Sequence, residues 1–153
     1  MSATTETTTI RPLAEGDQAD WRRLWAAYLR FYRAEVPEAA TAHTWARLLD
    51  PHDTEMACLV AERDGRVIGI CNYLFHASTW TPQPFCYLND LYVDPAARGS
   101  DAARRLILAC EEAARAAGAA RLYWTTQEFN GAARSLYDTI VPRSSFIVYR
   151  KPL

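Results

Sequence analysis

The sequence predicts a mixed α/β fold, of the α+β kind, in which helices cover one central sheet of antiparallel and parallel strands. Two apolar runs at 56–63 and 66–79 are separated by Asp64 and Gly65, a dipeptide that favours a tight antiparallel hairpin. A third run at 85–93 is followed by a long amphipathic helical pattern and another short strand. That order is typical of a parallel crossover, so the strands are expected to share one mixed sheet.

The first half of the chain predicts one strand and two helices before the hairpin. The segment TIRPLA (9–14) is expected to be an edge strand, since Pro12 has no amide proton to donate to a ladder. Apolar residues at helical spacing predict a first helix that starts at Asp17 and ends before Pro37. The segment AATAHTWARLL (39–49) predicts a second, shorter helix.

The second half predicts the crossover, then a closing helix and strand. Gly118 ends the long helix, because glycine readily adopts the left-handed conformation found after a helix C-terminus. The segment ARLYWTT (120–126) is expected to be the parallel strand. Asn130 is a good N-cap for a shorter helix, and SSFIVYR (144–150) predicts a closing strand.

Composition limits the class of partner. The chain has 153 residues, 50% of them hydrophobic, and we expect a single domain over 1–153 with a flexible tail at 1–8. The 17 Lys and Arg nearly balance the 18 Asp and Glu, which argues against nucleic acid or membrane as a partner and favours a small molecule. The start, MSATTETTT, is polar, and no apolar run approaches the ~20 residues that a bilayer span requires. We therefore expect a cytoplasmic protein.

The cysteines and histidines do not predict a metal site. Four cysteines lie far apart in apolar segments, without CxxC spacing, and are expected to be buried reduced thiols. The three histidines, His43, His52 and His76, show no metal-ligand spacing. No metal is predicted.

The turn at 93–103 has the character of an anion site. It leads from a strand through Gly99 into the N-terminus of a helix, where unpaired amides and the helix dipole favour negative charge. Arg98, Arg104 and Arg105 add positive charge around it. The alternative is that Gly99 and Ser100 only turn the chain and cap the helix.

Three segments resemble the GNAT superfamily of acetyl-coenzyme A dependent N-acetyltransferases: YLNDLYVDPAARGSDAARRLI, NGAARSLYD and FIVYR. The last two are most similar to spermidine-type and other small-amine enzymes. The resemblance implies a central mixed sheet of about six to seven strands in the order β-α-α-β-β-β-α-β-α-β, with room for one more strand. It also implies transfer of an acetyl group from acetyl-CoA to a primary amine of a small molecule.

The same resemblance implies which residues bind the cofactor. Arg98 and Ala103 match the family's turn, but Asp101 stands where the family has a glycine. A carboxylate about 4 Å from the diphosphate would repel it by roughly 1 kcal/mol in water and about 4 at a protein surface, unless it turns toward the helix N-terminus. The implied cofactor-binding set is Leu91, Tyr92, Val93, Arg98, Gly99, Ser100, Asp101, Ala102, Ala103, Arg104, Asn130 and Ala133.

Two residues are implied for catalysis. Tyr137 lies seven residues after Asn130, as in the family's helix, and would act as the general acid toward the leaving thiolate. The alternative is that it only packs beside Leu136. Asp90 is the candidate to receive the amine proton, because a carboxylate inside an apolar strand is costly unless it is paired or used. Its alternative is a salt bridge with an arginine.

Asn89 is a second departure from the resemblance, because similar enzymes often carry Glu there and an amide cannot accept a proton. Glu128, or an amine that arrives deprotonated, would be the other sources of base. The expected substrate-binding residues are Asn89, Tyr28, Tyr32 and Trp80. The three aromatic rings among them suit a cationic amine, and the alternative for Tyr28 is that it only packs in the core.

Two rival functions stay open. One is a non-catalytic or CoA-sensing module whose cofactor site is weakened by Asp101 and Asn89. The other, less favoured, is a protein or peptide N-acetyltransferase. A homodimer that pairs through the closing strand is also compatible with the sequence.

Overall fold

A five-stranded mixed sheet forms the centre of the protein. The computed structural model describes residues 7–97 and 100–153. The strands follow each other across the sheet in chain order, the first three pairs antiparallel and the last pair parallel. They are β1 (Thr9–Pro12), β2 (Met56–Arg63), β3 (Arg66–His76), β4 (Phe85–Val93) and β5 (Arg121–Tyr123). The predicted mixed fold is confirmed, including the parallel crossover from β4 to β5.

In the described residues four α-helices cover the sheet: α1 (Gln18–Phe31), α2 (Glu38–Leu49), α3 (Ala102–Ala116) and α4 (Gly131–Tyr137). The first helix ends earlier than predicted, at Phe31 with Tyr32 as its C-cap, so Pro37 does not end α1. Pro37 is the N-cap of α2, and Gly118, at φ +77°, follows the end of α3. None of the helices among residues 7–97 and 100–153 is long and apolar enough to cross a membrane.

The predicted hairpin between β2 and β3 is confirmed. Asp64 and Gly65 have φ values of 52° and 74°, both in the left-handed region. Such a pair gives the turn a twist that matches the two strands, and only glycine, asparagine or aspartate accept this conformation readily.

Two apolar cores lie on opposite faces of the sheet. The core under α3 contains Leu88, Val93, Leu106 and Ile107 among its buried members. The core under α1 and α2 is built around Trp21, whose ring is completely buried and stacks on Trp25 at 5.7 Å. Both cores hold β4 firmly in the middle of the molecule.

A β-bulge in β4 changes which residues face each core. The ladder pairs Asn72 with Asp90 and the next residue of β3 with Leu88, so Asn89 is an extra residue. The extra residue reverses the alternation of side chains. Leu88 and Leu91 therefore both face the α3 core, and Asp90 turns to the α1 face.

The predicted closing strand at 144–150 is not formed, so the sheet has fewer than the six to seven strands expected. A strand is stable only when its backbone pairs with a neighbour, and this segment pairs with no strand in the described part of the chain. Phe146, Ile147, Val148 and Tyr149 are between 71% and 90% exposed. The segment is apolar, as the sequence indicates, but it has no strand to pair with in the described residues.

Most of the predicted flexible tail at 1–8 lies outside the described residues. Thr8, at the end of that segment, is only 5% exposed. Its backbone carbonyl accepts a hydrogen bond from Arg105, and its hydroxyl accepts from Arg63. The predicted flexibility is therefore wrong for Thr8.

Candidate active site

An opening between β4 and β5 is the centre of the candidate site. The two strands pair only from Phe85 to Tyr87, opposite Arg121 to Tyr123, after which β4 continues to Val93 without β5 beside it. The predicted cofactor residues Leu91, Tyr92 and Val93 lie on this continuation. Their side chains pack into the two cores, so a ligand in the opening would contact their main chain.

The turn before α3 brings small residues to the helix start. Arg98 and Gly99 lie outside the described residues. Ser100 donates a hydrogen bond from Oγ to the carbonyl of Ala97 at 2.6 Å, which fixes the end of the turn. Ala102, the first residue of α3, is fully buried, and Ala103 packs against the α3 core. The helix N-terminus therefore has little side-chain bulk around its amides.

Asp101 occupies the N-cap position of α3 but does not cap it. Its side chain accepts no hydrogen bond from the first turn and is exposed. Two of the arginines predicted around this turn are engaged elsewhere. Arg104 donates to Oγ1 of Thr139 at 2.7 Å, and Arg105 donates to the carbonyl of Thr8. The positive charge offered to an anion at the turn is thus smaller than the sequence alone indicated.

Asn130 joins α4 to α1. Its Oδ1 accepts a hydrogen bond from the amide of Ala133 at 3.4 Å, the N-cap role predicted for it. Its side chain also hydrogen-bonds the hydroxyl of Tyr32. This contact lowers the pKa of Tyr32, but burial has the larger effect and the net pKa is raised. The end of α1 therefore lies beside the start of α4.

Tyr137 lies on the α4 side of the opening. Its ring packs edge-on against Trp124, with centroids 5.4 Å apart, rather than only beside Leu136. Burial, with a smaller contribution from nearby Tyr32, raises the pKa of Tyr137 to about 12. The phenol is therefore protonated throughout the physiological pH range and can donate a hydrogen bond or a proton.

Asp90 is the buried carboxylate of the site, 8% exposed. Its Oδ2 accepts a hydrogen bond from Nδ2 of Asn72 at 3.1 Å, and its Oδ1 accepts from Nδ2 of Asn89 at 3.0 Å. Burial raises the pKa of Asp90 above its usual value, and hydrogen bonds from Asn72, Asn89 and Tyr28 offset part of that rise. In the described part of the chain no arginine or lysine pairs with Asp90.

The predicted substrate residues separate into two groups. Tyr28 lies against Asp90, and burial followed by the Asp90 charge raises the pKa of its phenol. Tyr32 stacks edge-on beside Tyr28, at 4.9 Å. Asn89 is exposed at the bulge. Trp80, by contrast, lies in the loop between β3 and β4 with 82% of its surface exposed.

Asn72 is a site residue that the sequence reading missed. It is 3% exposed on β3, and its Oδ1 accepts a hydrogen bond from Nε1 of Trp21 at 3.4 Å while its amide holds Asp90. The available signal was one carboxamide within the apolar run VIGICNYLF. Glu128, the other predicted source of base, is exposed and its carbonyl accepts from Arg134.

Comparison with known proteins identifies the family. A sequence model of the acetyltransferase (GNAT) family matches residues 21–139. The chain is 29% identical over 143 residues to the D-amino-acid N-acetyltransferase HPA3 of Saccharomyces cerevisiae, covering 93% of this chain and 89% of that protein. It is 35% identical over 130 residues to the uncharacterized N-acetyltransferase YhfO of Bacillus subtilis, covering 84% and 85%.

A solved structure shares the fold. The aminoglycoside N-acetyltransferase AAC(6')-Iy, in complex with CoA, superposes over the whole of both chains with a TM-score of 0.81 at 19% sequence identity. The family match spans β2 to β5, the opening between β4 and β5, and α4. The chain therefore belongs to the GNAT family of acetyltransferases, and it is an N-acetyltransferase that uses acetyl-CoA as its acetyl donor.

Proposed function

We propose that this protein acetylates a primary amine of a small molecule by direct attack of the amine on the thioester, with Tyr137 as general acid and Asp90 as proton acceptor. The observation that carries the proposal is the pair of groups at the opening between β4 and β5. Asp90 is a buried carboxylate without a cationic partner in the described residues, and Tyr137 is a phenol that burial keeps protonated. Together they provide the base and the acid that acetyl transfer requires.

The residues at the opening fit acetyl-CoA at two places and oppose it at one. The main chain of Leu91 to Val93 can run beside an extended pantetheine arm, and the amides at the start of α3 face outward beside the small Ala102 and Ala103. Asp101 opposes a diphosphate at the same helix start. Acetyl-CoA supplies an acetyl group activated as a thioester.

Asp90 and Tyr137 divide the proton transfers. As the C–N bond forms, Asp90 takes the proton that the amine nitrogen gives up, directly or through one water. Its raised pKa makes it a stronger base than an ordinary carboxylate. As the C–S bond breaks, Tyr137 donates its proton to the departing sulfur and later recovers one from solvent. Tyr28 and Tyr32 would hold the amine by their ring faces and hydroxyls.

A small acceptor is favoured over a protein or peptide. A relative that covers nearly the whole chain is named as a D-amino-acid N-acetyltransferase, so an amine on a small molecule is the acceptor class that this likeness supports. We also place the protein in a reducing compartment such as the cytoplasm, because its four cysteines are buried and free.

One observation favours the rival function, a CoA sensor. The exposed carboxylate of Asp101 stands at the helix start without a hydrogen-bonding partner in the first turn. An exposed charge about 4 Å from a phosphate would cost roughly 1 kcal/mol, or about fivefold in affinity. Catalysis tolerates a loss of that size, whereas a sensor would bind acetyl-CoA without turnover.

The test combines binding and turnover. Acetyl-CoA is titrated calorimetrically into the protein and into the Asp101→Gly variant, and thiol release is followed with a panel of primary amines. We expect binding by the natural protein, about fivefold tighter binding by Asp101→Gly, and thiol release that Asp90→Asn reduces by at least tenfold. Binding without thiol release from any amine would overturn the enzyme and leave the sensor.

We further propose that two copies of the chain pair through the segment 144–150, which the next strand position of the sheet would accept. In the described residues β5 is the last strand, with β4 as its single neighbour. A groove of about 160 Å³ lies between α3, β5 and the turn after α4. The larger apolar residues of its lining are Ile107, Leu108, Leu122, Trp124, Ile140 and Val141.

A further inference from the structure

Aromatic side chains form a continuous surface on the α1 face of the sheet, beyond the area that α1 and α2 cover. The strand register pairs His76 with Phe85 and Phe85 with Arg121, and in the adjacent row it pairs Tyr87 with Tyr123. Residues that pair directly across strands lie on the same face of a sheet. We call these five residues the aromatic platform.

The platform is not part of either core. None of its five members belongs to the two core clusters found in the described chain, and all are at least partly exposed. Their rings nevertheless contact one another. Tyr87 and Tyr123 have centroids 4.9 Å apart, and His76 packs edge-on against both Phe85 and Tyr123 at 5.7 Å. The platform is therefore an ordered set of ring contacts, although its residues do not form part of the hydrophobic cores.

The polar groups of the platform are already paired. The backbone carbonyl of Ala77 accepts from Nδ1 of His76 at 2.9 Å, so Nε2 accepts from the Tyr123 hydroxyl at 2.6 Å. The Tyr87 hydroxyl is bonded to Oγ1 of Thr125 at 3.0 Å. These bonds fix the ring orientations. A ligand on this surface would meet ring faces and edges rather than open hydroxyls, which disfavours a sugar-like body.

The platform leads directly to the proposed base. Tyr87 and Asp90 lie on the same strand and, because of the bulge at Asn89, on the same face. At about 3.3 Å per residue they are separated by about 7–10 Å. Tyr28 connects them, since it contacts Asp90 and lies close enough to Tyr87 to sense its charge. If the amine group of an acceptor reaches Asp90, the rest of the acceptor molecule would contact the platform.

Charge along this path limits the kind of body. Asp90 provides negative charge at the amine end. At the far end the Arg121 guanidinium lies over the Phe85 ring, 4.3 Å from its centroid, and forms no ion pair within the described residues. A second ammonium group would therefore meet a cation and no carboxylate. This complementarity disfavours polyamines and favours an uncharged ring.

We propose that the aromatic platform is the binding site for the acceptor's body, and that it selects arylalkylamines: primary amines with one ammonium group joined by a short chain to a flat, uncharged aromatic ring. This inference rests on the proposed function for its amine end. It adds the class of acceptor and assigns Tyr87 and Tyr123 as specificity-determining residues.

The test compares three primary amines: 2-phenylethylamine, which has an aromatic ring, n-butylamine, which has none, and 1,4-diaminobutane, which has a second ammonium group. Calorimetric Kd values are measured with the protein saturated by CoA, and kcat/KM values with acetyl-CoA. Stacking of the ring on Tyr87 and Tyr123 is expected to favour 2-phenylethylamine over n-butylamine by about tenfold in both quantities. The doubly charged amine is expected to be the poorest of the three.

Two double variants locate the effect. Tyr87→Leu with Tyr123→Leu removes the rings, and 2-phenylethylamine should then bind and react about as well as n-butylamine. Tyr87→Phe with Tyr123→Phe keeps the rings and should keep the preference. Titration with acetyl-CoA checks that both variants are folded, because its proposed site does not include the platform.

The outcomes separate this inference from the proposed function. A preference for n-butylamine or 1,4-diaminobutane, or a preference for 2-phenylethylamine that the leucine variant retains, overturns the platform even when turnover is normal. Absence of thiol release with every amine would overturn the proposed function. The calorimetric preference in the presence of CoA would then still decide whether the platform binds an aromatic amine.

Discussion

A single hydroxyl at position 137 distinguishes packing from catalysis. Tyr137→Phe keeps the ring that packs against Trp124 and removes only the proton donor. We expect kcat to fall by about 100-fold, the usual effect of losing a positioned general acid, while the Kd for acetyl-CoA stays within twofold. Stopped-flow or steady-state thiol release gives kcat, and calorimetry gives Kd. A variant with unchanged kcat would show that Tyr137 only packs.

At the same scale, the sequence indicated most of the candidate site but not its contacts. The sequence identified Asn130 and Tyr137 through the resemblance to the GNAT family, and it identified Asp90 as a carboxylate inside an apolar strand. The burial of Asp90 could not be predicted, because an apolar strand with Asn89 and Asp90 side by side does not show which of the two side chains faces the interior. Pairing with β3 decides it, through the bulge. The aromatic platform was missed for the same reason, since its residues come from three strands and meet only through register.

The bulge of β4 is the element that sets the pH behaviour of the site. Asn72 holds the ionised form of Asp90 by hydrogen bonding and so lowers its pKa, while burial raises it. The Asn72→Ala variant lacks the hydrogen bond that lowers the pKa of Asp90, so the effect of burial, which raises that pKa, is less offset. The pKa of Asp90 should therefore rise further, and the acidic limb of kcat/KM against pH should move to higher pH.

A control separates this effect from simple loss of packing. Cys58, which pairs with Asn72 across β2 and β3, is 4% exposed on the same face, so Cys58→Ala removes a buried group without touching the bonds to Asp90. Both variants should lower the free energy of unfolding, Asn72→Ala by about 2 kcal/mol. The pH profile of Cys58→Ala should match that of the natural protein. Equal profiles for all three proteins would contradict a role for Asn72 in positioning Asp90.

Elements were predicted best where local pattern and partner lie close together in the chain. The bounds of β2 and β4 match their apolar runs, and the turn at Asp64 and Gly65 joins β2 to its neighbour within two residues. The segment 144–150 has an equally clear apolar run, but an apolar run alone supplies no strand edge to pair with. A strand forms only when it pairs with a second segment, and the sequence does not show which segment could pair with 144–150.

At the scale of the whole molecule, the proposed dimer would let the exposed apolar segment 144–150 of one copy complete the β5 edge of the other. Phe146 to Tyr149 expose four large side chains in the described structure, which is unfavourable in water at about 25 cal/mol per Å² of apolar surface. Addition of this segment to β5 of a second copy would bury both its faces and its backbone groups, with a second equivalent exchange completing the symmetry.

We therefore expect the natural protein to have about twice the chain mass of 17.3 kDa, about 35 kDa, by light scattering coupled to size exclusion. Ile147→Asp with Val148→Asp places two charges in the segment that would be buried and should give a monomer. Ser144→Asp with Ser145→Asp adds the same charge at the start of the segment, before its large apolar residues, and should leave the dimer intact. A natural protein that elutes as a monomer at micromolar concentration, or an unchanged mass in the Ile147 and Val148 variant, would contradict the exchange. Loss of the dimer in both variants would show that added negative charge, and not the burial of this segment, causes the dissociation.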